Sequence, residues 1–161
     1  MNIETTPIQD LVIINPTVFE DERGYFMESF NQQKLQEADI HITFVQDNQS
    51  FSKHGTLRGL HYQNPPYAQT KLVRVLQGEI IDVAVDVRKN SPTYGQHFAI
   101  RLSDENKKQL LIPQGFAHGF SVISETALVL YKCDQFYNKA SEGGIRFDDP
   151  KLNIDWGMDL K

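Results

Sequence analysis

The segment at residues 55–63, Gly-Thr-Leu-Arg-Gly-Leu-His-Tyr-Gln, is the densest group of side chains suited to acid–base or anion-binding chemistry. Arg58, His61 and Gln63 fall within one predicted strand and its exit. In a regular strand, His61 and Gln63 share a face and Arg58 points to the other one. Gly59 is predicted to mark a β-bulge that re-aims one of these side chains. The alternative interpretation is a strand whose polar face only meets water.

Two residues further along the chain complete a possible set for proton transfer. Lys71 starts the predicted strand Lys-Leu-Val-Arg-Val, and Tyr131 lies in Val-Leu-Tyr-Lys. A histidine base, a tyrosine acid and a lysine around one cavity could move a proton at a carbon next to a carbonyl. Each also has an ordinary interpretation, since a lysine at a strand end is usually solvated and an aromatic in a strand more often belongs to the core.

A second histidine follows a turn in Pro-Gln-Gly-Phe-Ala-His, residues 113–118. This pattern resembles the second motif of the cupin superfamily, in which the histidine often binds a metal. The first cupin motif usually supplies two histidines and a carboxylate, whereas here His61 stands alone and Gln63 occupies its partner position. Transition-metal sites generally need three or four N, O or S ligands. We therefore expect no metal and no other cofactor.

The elements that must position these residues are predicted to be mostly short strands. Residues 11–14 are predicted to form an edge strand, because Asn15-Pro16 ends them. Residues 71–75 and 80–88 are predicted to flank a hairpin, with Gly78 at positive φ. Within the second of these strands, valines 83, 85 and 87 alternate with Asp82, Ala84 and Asp86, which predicts one hydrophobic and one mixed face.

The rest of the chain continues the same pattern. Further strands are predicted at residues 96–102, 108–112, 118–123 and 127–136, with a tight turn at 113–115. The best helix candidate is residues 31–38, which opens with an N-cap type of residue. Many short strands at this spacing predict a mainly β fold, an antiparallel sandwich or barrel with one or two short helices.

Length and composition narrow the class of protein. A chain of 161 residues fits one domain of ~100–200 residues, here residues 1–161. The net charge of −5 at pH 7 argues against a nonspecific nucleic-acid or membrane-surface binder. One cysteine, Cys133, excludes an intramolecular disulfide and a cysteine-rich zinc site. Because neither a targeting segment nor a long apolar run is visible, we expect a soluble cytoplasmic protein.

Six motifs occur in order along the chain. They are Phe-Glu-Asp-Glu-Arg-Gly-Tyr-Phe-Met-Glu-Ser-Phe at 19–30, Val-Gln-Asp-Asn-Gln-Ser at 45–50, Leu-Arg-Gly-Leu-His-Tyr-Gln at 57–63, Lys-Leu-Val-Arg-Val at 71–75, Asp-Val-Ala-Val-Asp at 82–86 and Ile-Pro-Gln-Gly-Phe-Ala-His-Gly-Phe at 112–120. Together they closely resemble the dTDP-4-dehydrorhamnose 3,5-epimerase family. The resemblance implies a cupin-like jelly-roll barrel that works without metal, usually as a homodimer, on a dTDP-sugar. The reaction implied is inversion at C3 and C5 of dTDP-4-keto-6-deoxy-D-glucose.

The resemblance also implies roles for the residues singled out above. His61 would be the base that removes the C3 and C5 protons, Tyr131 the acid on the opposite face, and Lys71 the cation near the C4 oxygen. Positions that match the family's substrate-binding residues are Arg23, Glu28, Gln46, Asp47, Asn48, Arg58, His118 and Glu142. Arg23 and Arg58 would hold the pyrophosphate, and Tyr137 would form a further wall of the nucleotide site. The segment around Arg23 is expected to serve the partner subunit's site.

Members of the family usually continue beyond the Ile-Asp-Trp found here at 154–156, into a tail whose aspartate pairs with the catalytic histidine. Either the chain is short or truncated, or Asp82 or Asp86 orients His61 instead. Asp82 has the better position, and its alternative role is to pair with His118. Three other functions stay open: a single 3- or 5-epimerase, a noncatalytic dTDP-sugar binding protein, and a metal-dependent cupin enzyme.

Overall fold

The computed structural model describes residues 1–159, and strands make up most of its regular structure. The strands are β1 (Asn2–Thr5), β2 (Val12–Asn15), β3 (Val18–Asp21), β4 (Gly24–Met27), β5 (Gln46–Lys53), β6 (Leu57–Gln63), β7 (Lys71–Gln77), β8 (Glu79–Asp86), β9 (His97–Ser103), β10 (Gln109–Ile112), β11 (Phe116–Val122), β12 (Thr126–Cys133) and β13 (Glu142–Gly144). A single α-helix, α1 (Gln32–Glu37), and a 3₁₀ turn (Lys139–Ser141) complete the described elements. No helix in residues 1–159 is long and apolar enough to cross a membrane.

Two antiparallel sheets face each other. The six-stranded sheet has the order β1-β2-β10-β7-β12-β5, and the five-stranded sheet has the order β13-β6-β11-β8-β9. Strands β3 and β4 form a separate hairpin. Buried side chains from both sheets, among them Val73, Val129, Ile80 and Phe120, form the main core between them. This arrangement confirms the predicted mainly β, jelly-roll type of barrel.

The outer faces of both sheets are also covered. Trp156 and its neighbours in the C-terminal segment pack on Val83 and Val85 of β8, which form the hydrophobic face predicted from their alternation. The mixed face of β8 therefore points into the barrel. On the six-stranded sheet, Leu35 of α1 packs on Leu72 and Leu111.

The helix follows the sequence prediction closely. The Asn31 side chain caps it by accepting a hydrogen bond from the Lys34 backbone N–H at 3.1 Å, and Ala38 ends it. Its single buried residue is Leu35. A helix this short gains little from its own hydrogen bonds, so packing of that one leucine stabilises it.

Two strand predictions are wrong. Strands β7 and β8 do not pair, because β7 lies between β10 and β12 while β8 lies between β9 and β11 in the other sheet. Gly78 has a positive φ, as predicted, with a value of 92°, but the turn that contains it carries the chain from one sheet to the other.

Strand β2 is not an edge strand, because β1 (Asn2–Thr5) pairs with it. Strand β1 was not predicted, because most of its residues are exposed and its sequence shows no alternation of apolar and polar residues.

Candidate active site

A cavity of about 240 Å³ opens at one end of the barrel, between the two sheets. Seven of the eleven predicted site residues line it: Asn48, Arg58, His61, Lys71, His118, Tyr131 and Glu142. They come from six strands, β5, β6, β7, β11, β12 and β13. Tyr137, the predicted wall residue, lines it as well.

A β-bulge at Gly59 places Arg58 and His61 on the same cavity. Across the β6–β11 pair, His61 opposes His118 and Arg58 opposes Phe120, so the two residues between them on β6 face a single residue, Gly119, on β11. Gly59 has a φ of +119°, and a Cβ there would lie 2.5 Å from the Gly119 Cα. The predicted bulge is confirmed, and it explains why two side chains with nominally opposite directions converge.

His61 presents its ring to the cavity with 58% of its side chain exposed. Its ring Nδ1 lies 3.9 Å from a carboxylate oxygen of Glu142, which belongs to the adjacent strand β13. Of the two explanations considered for the orientation of His61, the one in which Asp82 or Asp86 orients it does not hold. Both belong to β8, and β11 lies between β8 and β6, so a short aspartate cannot reach across.

Asp82 instead binds His118, the alternative role considered for it. The His118 Nε2 lies 2.6 Å from the Asp82 Oδ1, with side-chain exposures of 5% and 0%. Within residues 1–159, the second Asp82 oxygen is buried without a hydrogen-bond partner. Asp86 is held by Arg88, Ser91 and Thr93 away from the cavity.

Lys71 and Tyr131 lie side by side on the six-stranded sheet. The Lys71 Nζ is 5.4 Å from the centre of the Tyr131 ring, and the His118 ring meets that ring edge-on at 6.1 Å between centres. Burial lowers the pKa of Lys71, while negative charge on Cys133, Asp82 and Glu142 would act in the opposite direction. Burial raises the pKa of Tyr131, so its hydroxyl keeps its proton at neutral pH.

Polar residues of β5 support the rim of the cavity. The Arg58 Nε donates to the Ser52 hydroxyl at 2.9 Å, which leaves the end of the guanidinium free for an anion. The Asn48 amide accepts from Gln46 at 3.0 Å, and Gln46 in turn accepts from the Tyr137 backbone N–H at 3.1 Å. Gln46 therefore holds the rim in place and does not line the cavity.

Three more predicted residues lie outside the cavity of their own chain. Arg23 forms an exposed ion pair with Asp21 at 2.7 Å on the β3–β4 hairpin. Glu28 pairs with Lys34, and Asp47 pairs with Lys132 at 3.0 Å. The expectation that the Arg23 segment serves a partner subunit remains a prediction.

Some lining residues were missed by sequence reasoning, including Ser50, Tyr62, Gln69 and Phe120. Ser50 could have been predicted from the sequence, because it lies two residues after Asn48 on β5 and therefore on the same face of the strand. Gln69 lies in the loop before β7, and no local pattern marks it.

Gln63 has a structural role at the position of a cupin metal ligand. Its amide donates to the Tyr67 carbonyl at 2.6 Å and accepts from the Asn138 backbone N–H at 2.9 Å. It thereby clamps two loops against β6. No three His, Cys, Asp or Glu side chains of residues 1–159 converge in a way that could hold a metal ion.

An antiparallel jelly-roll barrel with a histidine, a lysine and a tyrosine around one open cavity defines a cupin-like enzyme suited to proton transfer. The family of the dTDP-4-dehydrorhamnose 3,5-epimerases matches residues 5–161. This chain belongs to that family.

Individual relatives agree with this assignment. A dTDP-4-dehydrorhamnose 3,5-epimerase of Shigella flexneri is 56% identical over 157 residues, which cover 97% of this chain and 87% of the relative. The crystal structure of the Elizabethkingia anophelis epimerase is 54% identical, with a TM-score of 0.94 over 99% of this chain and 87% of the other. A Legionella pneumophila structure, a dTDP-6-deoxy-D-glucose-3,5-epimerase in complex with dTDP-4-keto-L-rhamnose, is 50% identical, with a TM-score of 0.95 over 99% and 86%.

Proposed function

We propose that this protein inverts C3 and C5 of dTDP-4-keto-6-deoxy-D-glucose and releases dTDP-4-keto-L-rhamnose. The observation that carries the proposal is the convergence of His61, Lys71 and Tyr131 on one cavity in a chain of this family. The single 3- or 5-epimerase and the noncatalytic binding protein have less support, because the relatives described above are named as 3,5-epimerases.

The proposed base is His61. The C4 ketone makes the neighbouring C3–H and C5–H acidic, so each can be removed by a base whose pKa lies near the working pH. Histidine is the side chain with that property. The exposed ring of His61 at the cavity allows a sugar carbon to approach it directly.

Removal of either proton places negative charge on the C4 oxygen. Lys71 is the proposed partner of that enolate, because it lines the same cavity as His61 and Tyr131, with its Nζ 5.4 Å from the centre of the Tyr131 ring. Partial burial strengthens such a contact, and one oxyanion-type contact is typically worth ~3–4 kcal/mol. The buried His118–Asp82 pair provides a second fixed polar group on the opposite sheet.

Tyr131 is the proposed acid that returns a proton from the other face of the sugar. Inversion needs a donor opposite the base, and Tyr131 belongs to the six-stranded sheet whereas His61 belongs to the five-stranded one. Because burial raises the pKa of Tyr131, the phenol is protonated at neutral pH and can donate.

The nucleotide is proposed to lie at the rim near Asn48 and Tyr137, with Arg58 on the pyrophosphate. We further propose a cytoplasmic homodimer in which Arg23 and Glu28 complete the partner's site. The β3–β4 hairpin supports this, since Phe19 and Phe26 on it expose 62% and 67% of their surface. Exposed apolar groups of this size are typical of an interface.

Product analysis tests the proposal. The protein is incubated with dTDP-4-keto-6-deoxy-D-glucose, and the configuration of the sugar is followed by proton NMR, with His61→Asn as the matched inactive control. Inversion at both carbons by the wild type only is expected. Inversion at one carbon would support the single epimerase, and tight dTDP binding without any inversion would support the binding protein.

A further inference from the structure

One carboxylate oxygen of Glu142 faces His61, the proposed base. The other oxygen faces Tyr137 at the rim of the cavity. The Glu142 Oε1 lies 3.9 Å from the His61 Nδ1, and its Oε2 accepts a hydrogen bond from the Tyr137 hydroxyl at 3.2 Å. Over residues 1–159, no other carboxylate oxygen comes within 4.0 Å of a His61 ring nitrogen. The hydrogen bond from Tyr137 orients this carboxylate so that its other oxygen faces the His61 ring.

The backbone holds Glu142 in this place. Strand β13 pairs with β6, the strand that carries His61, so that Glu142 opposes Gln63 and Gly144 opposes His61. The Gln63 amide bonds to the backbone at Phe136 and Asn138, which fastens the segment leading to β13. The approach of Glu142 to His61 is therefore built into the sheet.

We propose that Glu142 is a positioning residue that keeps the proton of neutral His61 on Nδ1 and leaves the Nε2 lone pair free to take the substrate proton. This inference rests on the proposed function of His61. A neutral imidazole carries one ring proton, and the partner of one nitrogen decides which nitrogen holds it. When Nε2 takes the C3 or C5 proton, the ring becomes an imidazolium, and a facing carboxylate stabilises that charge.

The distance of 3.9 Å is longer than a hydrogen bond, so at this separation the Glu142 carboxylate acts on the neutral ring through the field of its negative charge. Catalytic hydrogen bonds often tighten when substrate binds. Glu142 was predicted from the family resemblance to bind substrate, and that role predicts a different kinetic signature. A substrate-binding residue affects KM, whereas a positioning residue affects kcat.

The test combines kinetics with ¹⁵N NMR of the His61 ring in the free enzyme. Glu142→Ala is expected to lower kcat roughly tenfold with KM nearly unchanged, and to shift the ring proton partly to Nε2. Glu142→Gln retains an acceptor oxygen and is expected to restore the wild-type tautomer with part of kcat. Glu105→Gln, at an exposed glutamate in the turn between β9 and β10, is the control and is expected to match the wild type.

An unchanged His61 tautomer in Glu142→Ala, or a rise in KM alone, would overturn the inference. The NMR result does not depend on turnover. If the wild type fails to invert the sugar while Glu142→Ala still shifts the ring proton, the proposed function fails and the pairing of Glu142 with His61 stands.

Discussion

At the scale of single residues, His61, Lys71 and Tyr131 differ in environment in a way that suits different steps of proton transfer. His61 is open to the cavity, Lys71 is desolvated, and the pKa of Tyr131 is raised by burial. Their joint role was predicted from residue types and from the family resemblance. Spacing alone could not place them together, because they belong to three strands in two sheets.

Replacing Tyr131 separates the two halves of the proposed reaction. Tyr131→Phe removes the proton donor but leaves His61 and Lys71 in place, so exchange of C3 and C5 hydrogen with solvent is expected to continue. Inverted product is expected to fall by at least ~100-fold, since general acid catalysis contributes ~10²–10⁴-fold. Deuterium exchange and product configuration, measured on one sample by NMR, check this. Normal inversion would place the acid elsewhere.

At the scale of elements, the bulge in β6 decides whether the site forms. The sequence predicted it from a single glycine between Arg58 and Leu60. The structure adds that this glycine has a φ of +119°, which glycine adopts without strain. The β7–β8 hairpin was predicted wrongly by similar reasoning. A turn between two sheets can need the same positive φ of glycine as a hairpin turn. The two kinds of turn differ only in which strands pair in the folded protein.

Gly59→Ala is expected to destabilise the protein and to remove activity. Its φ of +119° and the 2.5 Å approach to Gly119 add backbone strain to a steric clash. The expected loss is roughly 3 kcal/mol of unfolding free energy or more. Gly95→Ala is the matched control, because it has a φ of +82° but nothing within 4 Å of a new Cβ.

Urea unfolding and the inversion assay measure both variants. Gly95→Ala is expected to lose about 1–2 kcal/mol and to stay active. Equal losses in the two variants would mean that the contact of β6 with β11 is not what requires a glycine at position 59.

The buried carboxylate of Asp86 anchors the loop after β8. Burial alone would raise the pKa of Asp86, but hydrogen bonds from Arg88, Ser91 and Thr93 outweigh it and hold the pKa well below the ordinary 3.8. The stabilisation is therefore complete above about pH 4 and is lost as the pH falls toward the lowered pKa of the folded state. Asp86→Asn is expected to lose about 2–4 kcal/mol at pH 7 and to show less further loss on acidification.

Urea unfolding at pH 7 and pH 3 checks this prediction. Asp148→Asn is the matched control, because Asp148 forms an exposed pair with Arg146 at the same sequence spacing, and little change is expected. An equal effect of both substitutions would contradict the anchoring role of Asp86.

At the scale of the whole molecule, the resemblance predicted the jelly-roll barrel and the position of most site residues. It could not show that Asp82 belongs to His118, because that depends on which strand lies between β6 and β8. Nor does the cavity of one chain contain Arg23 or Glu28. In the proposed homodimer, their part in the reaction would depend on a second copy.

Mixing two inactive variants tests that dependence. If Arg23 serves the partner's site, a dimer of one His61→Asn chain and one Arg23→Ala chain has one intact site. Random mixing by unfolding and refolding is then expected to restore about a quarter of the wild-type activity. If Arg23 acts in its own chain, no mixed dimer has an intact site and activity stays at the level of the separate variants.

Deuterium incorporation tests the central claim most directly. The wild-type protein is incubated with dTDP-4-keto-6-deoxy-D-glucose in D₂O, and deuterium is measured at C3 and at C5. The account predicts incorporation at both carbons, with His61→Asn showing neither. Absence of deuterium from both positions, with dTDP still bound, would contradict proton abstraction by this site.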